Sequence, residues 1–200
     1  MRLVALALIA ACSTPALPET RYYTLASPAR ETARVATLAL PRSGPAIAVQ
    51  PLDAERPYDE ERIVYRSGPY RLDYYYYHRW SSPPGSMVAT YLADALDHSG
   101  KFRAVTREPD DATAIVITGR VLAIEEVDAS PAQWQGHIAV ELTATDHRTD
   151  RVLWTHRFEE SEPMPAKSPE GLARALTVAM KRIAQRALVN LVDLTESHTP

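Results

Sequence analysis

The sequence predicts a two-layer α/β (α+β) sandwich, with a mixed, largely antiparallel sheet and two main helices packed against it. Three observations carry this. Three segments between residues 113 and 158 have strand chemistry and are joined by polar connections. Two segments, one after Ser81 and one after Ser168, carry apolar residues at helical spacing. Each kind of element is apolar on one side, and two such layers are stable when each buries the other.

The elements follow in order. Ser13 to Thr20 (STPALPET) is a Pro-containing, semi-rigid tether. Arg21 to Leu25 (RYYTL) is a strand, rich in β-favouring Tyr and Thr. Residues 26 to 45 read as a loop with a short strand at Val35 to Leu40. Ile47 to Leu52 is a strand. Arg62 to Arg66 and Tyr70 to Tyr77 are strands joined by Ser67-Gly68-Pro69, a hairpin signal.

Ser81-Ser82-Pro83-Pro84 starts the first helix, with Ser as cap and Pro in the first turn. Met87, Val88, Tyr91, Leu92, Ala95 and Leu96 make its apolar stripe. Gly100 ends it in a left-handed conformation. Lys101 to Thr106 leads into the sheet. Thr113 to Glu125 is apolar on both faces at first, as a central strand would be. Gly136 to Thr145 alternates, with Ile138, Val140, Leu142 and Ala144 on one side. Val152 to Phe158 returns after a polar turn, giving an antiparallel meander. Ser168-Pro169-Glu170 caps the last helix, whose stripe runs through Leu172, Leu176, Met180, Ile183, Ala187 and Leu191. Burying such side chains at roughly 1.5–3 kcal/mol each makes this helix a main source of stability.

The first residues set the compartment. Arg2 is a minimal basic region and Leu3 to Ala11 a short apolar one, far below the roughly 20 residues that span a bilayer. The segment fits a secretory signal over residues 1–11. Ile9-Ala10-Ala11-Cys12 resembles a lipobox. That resemblance implies a diacylglyceryl group on Cys12, cleavage before it, and usually acylation of its amine. Several acyl chains give lasting membrane attachment where one is marginal. Cys12 is the only cysteine, so no internal disulfide forms. Ser13 follows it rather than Asp, which by the enteric sorting rule favours the outer membrane. The organisation is therefore signal 1–11, lipidated Cys and tether 12–20, one domain 21–196, and a tail 197–200. Losing Arg2 changes 22 basic residues to 21 against 25 acidic, a net charge of −4. That offers no basic field for nucleic acid.

Catalytic patterns are not found. There is no Gly-rich phosphate loop and no H-E-x-x-H. The six His lie at 78, 98, 137, 147, 156 and 198, without metal-ligand spacing. His137 and His156 are placed to face each other on neighbouring strands, a pair more often structural than metal-binding. Asp110-Asp111 and Glu125-Glu126 read as charged strand ends. A non-enzyme is expected, with no metal and no cofactor beyond the covalent lipid.

The stretch LDYYYYHRW, Leu72 to Trp80, is unusually aromatic. Alternation puts Tyr70, Leu72, Tyr74 and Tyr76 on one core-facing side. Tyr75 and Tyr77 are then surplus, followed by Arg79 and Trp80 at the junction with the helix. Tyr, Trp and Arg are enriched at binding hot spots, and suit lipid head-group depth. Tyr75, Tyr77, Arg79 and Trp80 are thus the candidate partner- or lipid-binding residues. The alternative is local: Arg79 and Trp80 lock strand to helix.

Taken in order, RYYTL, RIVYR, LDYYYYHRWSSPP, MVATYLADAL, SGKFRAV and TDHRTDRVLWTHRF resemble the ABC-type transport auxiliary lipoprotein family, in particular the paraquat-inducible C lipoprotein type. The likeness spans Arg21 to about Leu194. It implies a role rather than a reaction. The partner would be a periplasmic protein with a mammalian-cell-entry domain, belonging to an ABC transporter that moves phospholipid or other apolar molecules between two membranes. Two other classes stay open: a lipoprotein regulating a peptidoglycan synthase or other envelope-assembly machine, and a lipid-anchored solute-binding protein. A homo-oligomer also stays open, since nothing in the composition demands one.

Overall fold

The computed structural model describes residues 18–27, 42, 44–130 and 132–197. The lipobox with Cys12, most of the tether and the strand expected at Val35 to Leu40 lie outside them. The elements are β1 (Arg21–Tyr23), β2 (Ala46–Val49), β3 (Asp53–Ala54), a 3-10 turn (Arg56–Tyr58), β4 (Arg62–Gly68) and β5 (Arg71–Trp80). They continue with α1 (Pro84–His98), β6 (Ala104–Thr106), β7 (Thr113–Ser130), β8 (Gln133–Asp146), β9 (Val152–Pro163) and α2 (Pro169–Ser197).

The strand β7 is the spine of the sheet. One of its edges pairs with β8 along nearly its whole length, and β9 follows β8. Its other edge is shared. The first half takes β2 and then β3, and the second half takes β4. Beyond β2 lies β6; beyond β4 lie β5 and then β1. The sheet is mixed, as expected. Its long pairings, β4–β5, β7–β8 and β8–β9, are antiparallel, while the short pairings of β1, β2, β3, β4 and β6 are parallel. The expected hairpin is β4–β5, and the expected meander is β7–β8–β9.

Both helices lie on one face of this sheet. The stripe Leu172, Leu176, Met180, Ile183, Ala187 and Leu191 is buried, over Ile138, Val140, Leu142 and Phe158. The α2 cap is as read from the sequence: Ser168 Oγ accepts from the Gly171 N–H at 3.0 Å. Its partner α1 packs on β2, β6 and β7 and touches α2. At its start the cap differs. Pro83, not a serine, is the cap, and it forms no side-chain hydrogen bond. The reason is steric: Pro84 pushes the residue before it out of the helical region, so the serines fall outside the cap position. Gly100 closes the helix with φ +66°, as expected. At Gly85 the helix backbone approaches the chain after β2 so closely that a Cβ would lie 2.0 Å from the Leu52 carbonyl oxygen. No helix among the described residues is long and apolar enough to cross a membrane.

The strand β5 departs from simple alternation. Arg62 is opposite Arg79, yet Val64 is opposite Tyr74. One β4 residue, Ile63, therefore faces Tyr75 to His78. Such a bulge breaks the two-residue period. Hence Tyr76, expected in the core, is 87% exposed, and Tyr70 lies in the turn, fully exposed. Trp80, expected at a binding surface, is 1% exposed and belongs to the core. It sits where β1 joins β5, with Tyr23 in register beside it.

The two carboxylates Glu125 and Glu126 are not a charged strand end. The strand continues to Ser130, and they are 3% and 0% exposed. His137 and His156 do not face each other. His137 is opposite Ser161 while His156 is opposite Leu142, which puts them on different faces of the sheet.

Candidate functional site

Neighbouring residues of a strand point to opposite faces. Glu126 is in register with Gly136, and a Cβ on Gly136 would press on Ala175 and Leu176 of α2. Glu126 therefore lies under the helix layer, and Glu125 on the helix-free face. Each organises a separate cluster beneath the tyrosine-rich hairpin.

On the helix-free face, Glu125 accepts from Tyr58 Oη at 2.8 Å and from Arg66 Nε at 2.9 Å. His137 Nδ1 stands 3.6 Å away, and its Nε2 is 3.1 Å from Glu159. Burial pushes the Glu125 pKa up, but the donors from His137, Arg66 and Tyr58 outweigh it and hold the carboxyl below its usual range. The Glu125 contact, supported by Glu159, raises His137 against the opposing effect of burial. Burial, then Glu125, push the Tyr58 phenol up to about 12. This arrangement is a neutralised ion-pair chain, satisfied at each end.

Under the helix layer, Tyr75 Oη donates to Glu126 Oε2 at 2.8 Å. The other oxygen, Oε1, is buried without a hydrogen bond among the described residues. Lys167 Nζ is 3.8 Å from it, but is engaged with Asp128 at 2.9 Å. Burial dominates and raises the Glu126 pKa. An aromatic cluster covers the pair: Tyr65 and Tyr75 at 5.1 Å, His78 edge-on to Tyr75 at 5.7 Å, and Tyr23 Oη at 2.9 Å from His78 Nδ1.

The candidate residues thus separate. Tyr75 is half-buried and ties the hairpin to β7, and Trp80 is core. Tyr77 is exposed and Arg79 half-buried. Two residues that were not among the sequence candidates join them. Tyr76 has its ring 6.4 Å from that of Tyr77, and Tyr22 of β1 is in register with Arg79. The bulge hid Tyr76 from a period-2 reading. The buried clusters did have a signal: two adjacent acids inside an otherwise apolar strand.

The fold and this surface define a class first, a mixed sheet with two helices on one face and an aromatic hairpin at its edge. A DUF330 protein of Xanthomonas campestris shares the fold, with TM-score 0.70, 20% identity, and 90% of this chain and 99% of that one covered. An uncharacterized protein gives TM-score 0.69 at 9% identity, covering 87% and 99%. A hypothetical protein of Chlamydia trachomatis gives 0.51 at 8% identity, covering 76% and 98%. Among curated proteins none matches. Residues 23–187 match the model of the ABC-type transport auxiliary lipoprotein component, and the chain belongs to that family.

Proposed function

We propose that this chain is the outer-membrane end of an ABC transport system that carries lipid between the two membranes. Acyl chains on Cys12 hold the domain at the membrane, and the tether sets its reach. The tyrosine surface of Tyr22, Tyr76 and Tyr77 docks a periplasmic partner with a mammalian-cell-entry domain. The chain supplies a role and no reaction. Family membership gives the ABC-transport setting. The observation that carries the docking role is the exposure of three large aromatic side chains at one sheet edge: Tyr22 at 61%, Tyr76 at 87% and Tyr77 at 42%. Tyrosine gives large contact area with few torsions to freeze, and is enriched at binding hot spots.

In-cell crosslinking, gentle membrane purification of the lipidated protein and mass spectrometry test this. Capture of a mammalian-cell-entry protein or its ABC permease supports the reading. Capture of a peptidoglycan synthase with no transporter component refutes it.

A further inference from the structure

The β5 bulge opens a cavity of about 330 Å³ at the hairpin. Its walls include Tyr65, Tyr74, Tyr75 and Tyr76, with Arg62 and Arg79 beside them. The charges are unequally matched. Arg62 holds Glu60 through two hydrogen bonds of 2.6 and 2.7 Å and lies 4.0 Å over the Tyr74 ring. Asp73, also in the wall, is held by Arg71 at 2.6 Å. Arg79 feels Glu60 only through space, and forms no hydrogen bond or close ion pair with any described residue. The hydroxyls of Tyr65 and Tyr76 likewise donate to no described residue.

We infer that this cavity binds the phosphodiester of a phospholipid head group, with Arg79 as the charge partner and Tyr65 and Tyr76 as neutral donors. A guanidinium offers a planar fork of N–H groups that matches phosphate oxygens, and charge-assisted bonds of this kind are the strong ones. Phenol hydroxyls complete the donor set. Tyrosine rings give apolar walls for the glycerol carbons, with polar tips suited to head-group depth. A cavity of this size holds more than a bare anion, which favours the lipid over free phosphate. This deepens the transport reading and rests on it, by placing a head-group contact on this chain itself.

The test uses the full lipidated chain in detergent micelles, with native mass spectrometry of bound dihexanoyl phosphatidylglycerol. Dihexanoylglycerol, which lacks the phosphate, and inorganic phosphate are the comparison probes. The expected result is a phospholipid adduct that Arg79→Gln weakens roughly tenfold or more. Tyr76→Ser weakens it too, and Arg174→Gln, an exposed side chain on α2 away from the cavity, leaves it unchanged. Unchanged binding by folded Arg79→Gln, or dihexanoylglycerol binding as tightly, overturns the inference. Inorganic phosphate displacing the lipid at equal affinity would mean a free-anion site and also overturns it. If Arg79→Gln does not fold, Tyr76→Ser decides, because an 87% exposed side chain carries little stability. Partner capture without lipid binding removes this site and leaves the transport role. Lipid binding without partner capture does the reverse.

Discussion

Trp80 and Tyr77 lie three residues apart in one aromatic run, and their substitutions should behave oppositely. Trp80 is 1% exposed, among the largest fully buried side chains. Its backbone N–H donates to the Glu61 carbonyl, and the next backbone N–H, of Ser81, donates to the Tyr23 carbonyl, both at 2.7 Å. Trp80→Ala removes a full indole from the junction of β1, β5 and α1. Truncating a buried Trp costs about 3–5 kcal/mol, from lost transfer energy plus the residual cavity. For a protein of this size each kcal/mol lowers Tm by about 2–4 °C, so Tm should drop by about 6–20 °C. Tyr77 is 42% exposed. Tyr77→Ser should stay within about 0.5 kcal/mol of the parent, as surface changes usually do. Urea unfolding of the lipidated protein in micelles, followed by Trp fluorescence and circular dichroism, reads both. A cost under about 1 kcal/mol for Trp80→Ala would refute the packing, and one above about 2 kcal/mol for Tyr77→Ser would refute the surface assignment.

Other outcomes follow from the buried charges. Glu126 has a raised folded-state pKa, so its contribution is present below the unfolded value of 4.5 and is lost as pH rises through the folded pKa. Glu126→Gln should therefore gain stability over the parent at pH 7, by about 1 kcal/mol, with the gap closing near pH 4 in urea titrations. Glu125 is shifted the other way, so its contribution is present above 4.5 and lost as pH falls through the folded pKa. Arg66→Ala should cost about 1–3 kcal/mol at pH 7, and less below pH 4 in the same assay. His137 is raised, so the advantage of the parent over His137→Gln should be full below pH 6.5 and fade as pH rises past the folded pKa. Gly85→Ala should cost about 1–3 kcal/mol by thermal melting, because backbone rather than a movable side chain blocks the methyl.

Much of this fold was legible because periodicity reports burial directly. The α2 stripe and the alternation of β8 each place their buried residues correctly. What failed was registration. The β5 run reads as an unbroken period of two, and nothing local marks the extra residues opposite Ile63. That misplaced Tyr76. Trp80 falls on the core side even by simple alternation, and only its residue type, common at binding hot spots, pointed it outward. The acids of β7 misled for a different reason. Burial of a carboxylate depends on partners far along the chain, here Tyr58, Arg66, Tyr75 and His137, which no local pattern reveals. Parallel pairing of β7 with β2, β3 and β4 is likewise a long-range property. The exposure of Tyr77 was legible because excess aromatics beyond one strand face stand out even when the register is wrong.

The tyrosine edge is the proposed docking surface. A photo-crosslinking amino acid placed at Tyr77 in cells, with the same group at exposed Val152 on β9 as control, tests it most directly. Docking through this edge gives a covalent adduct with a mammalian-cell-entry protein from Tyr77 and none from Val152. Equal adducts from both positions, or transporter adducts from Val152 alone, would contradict it.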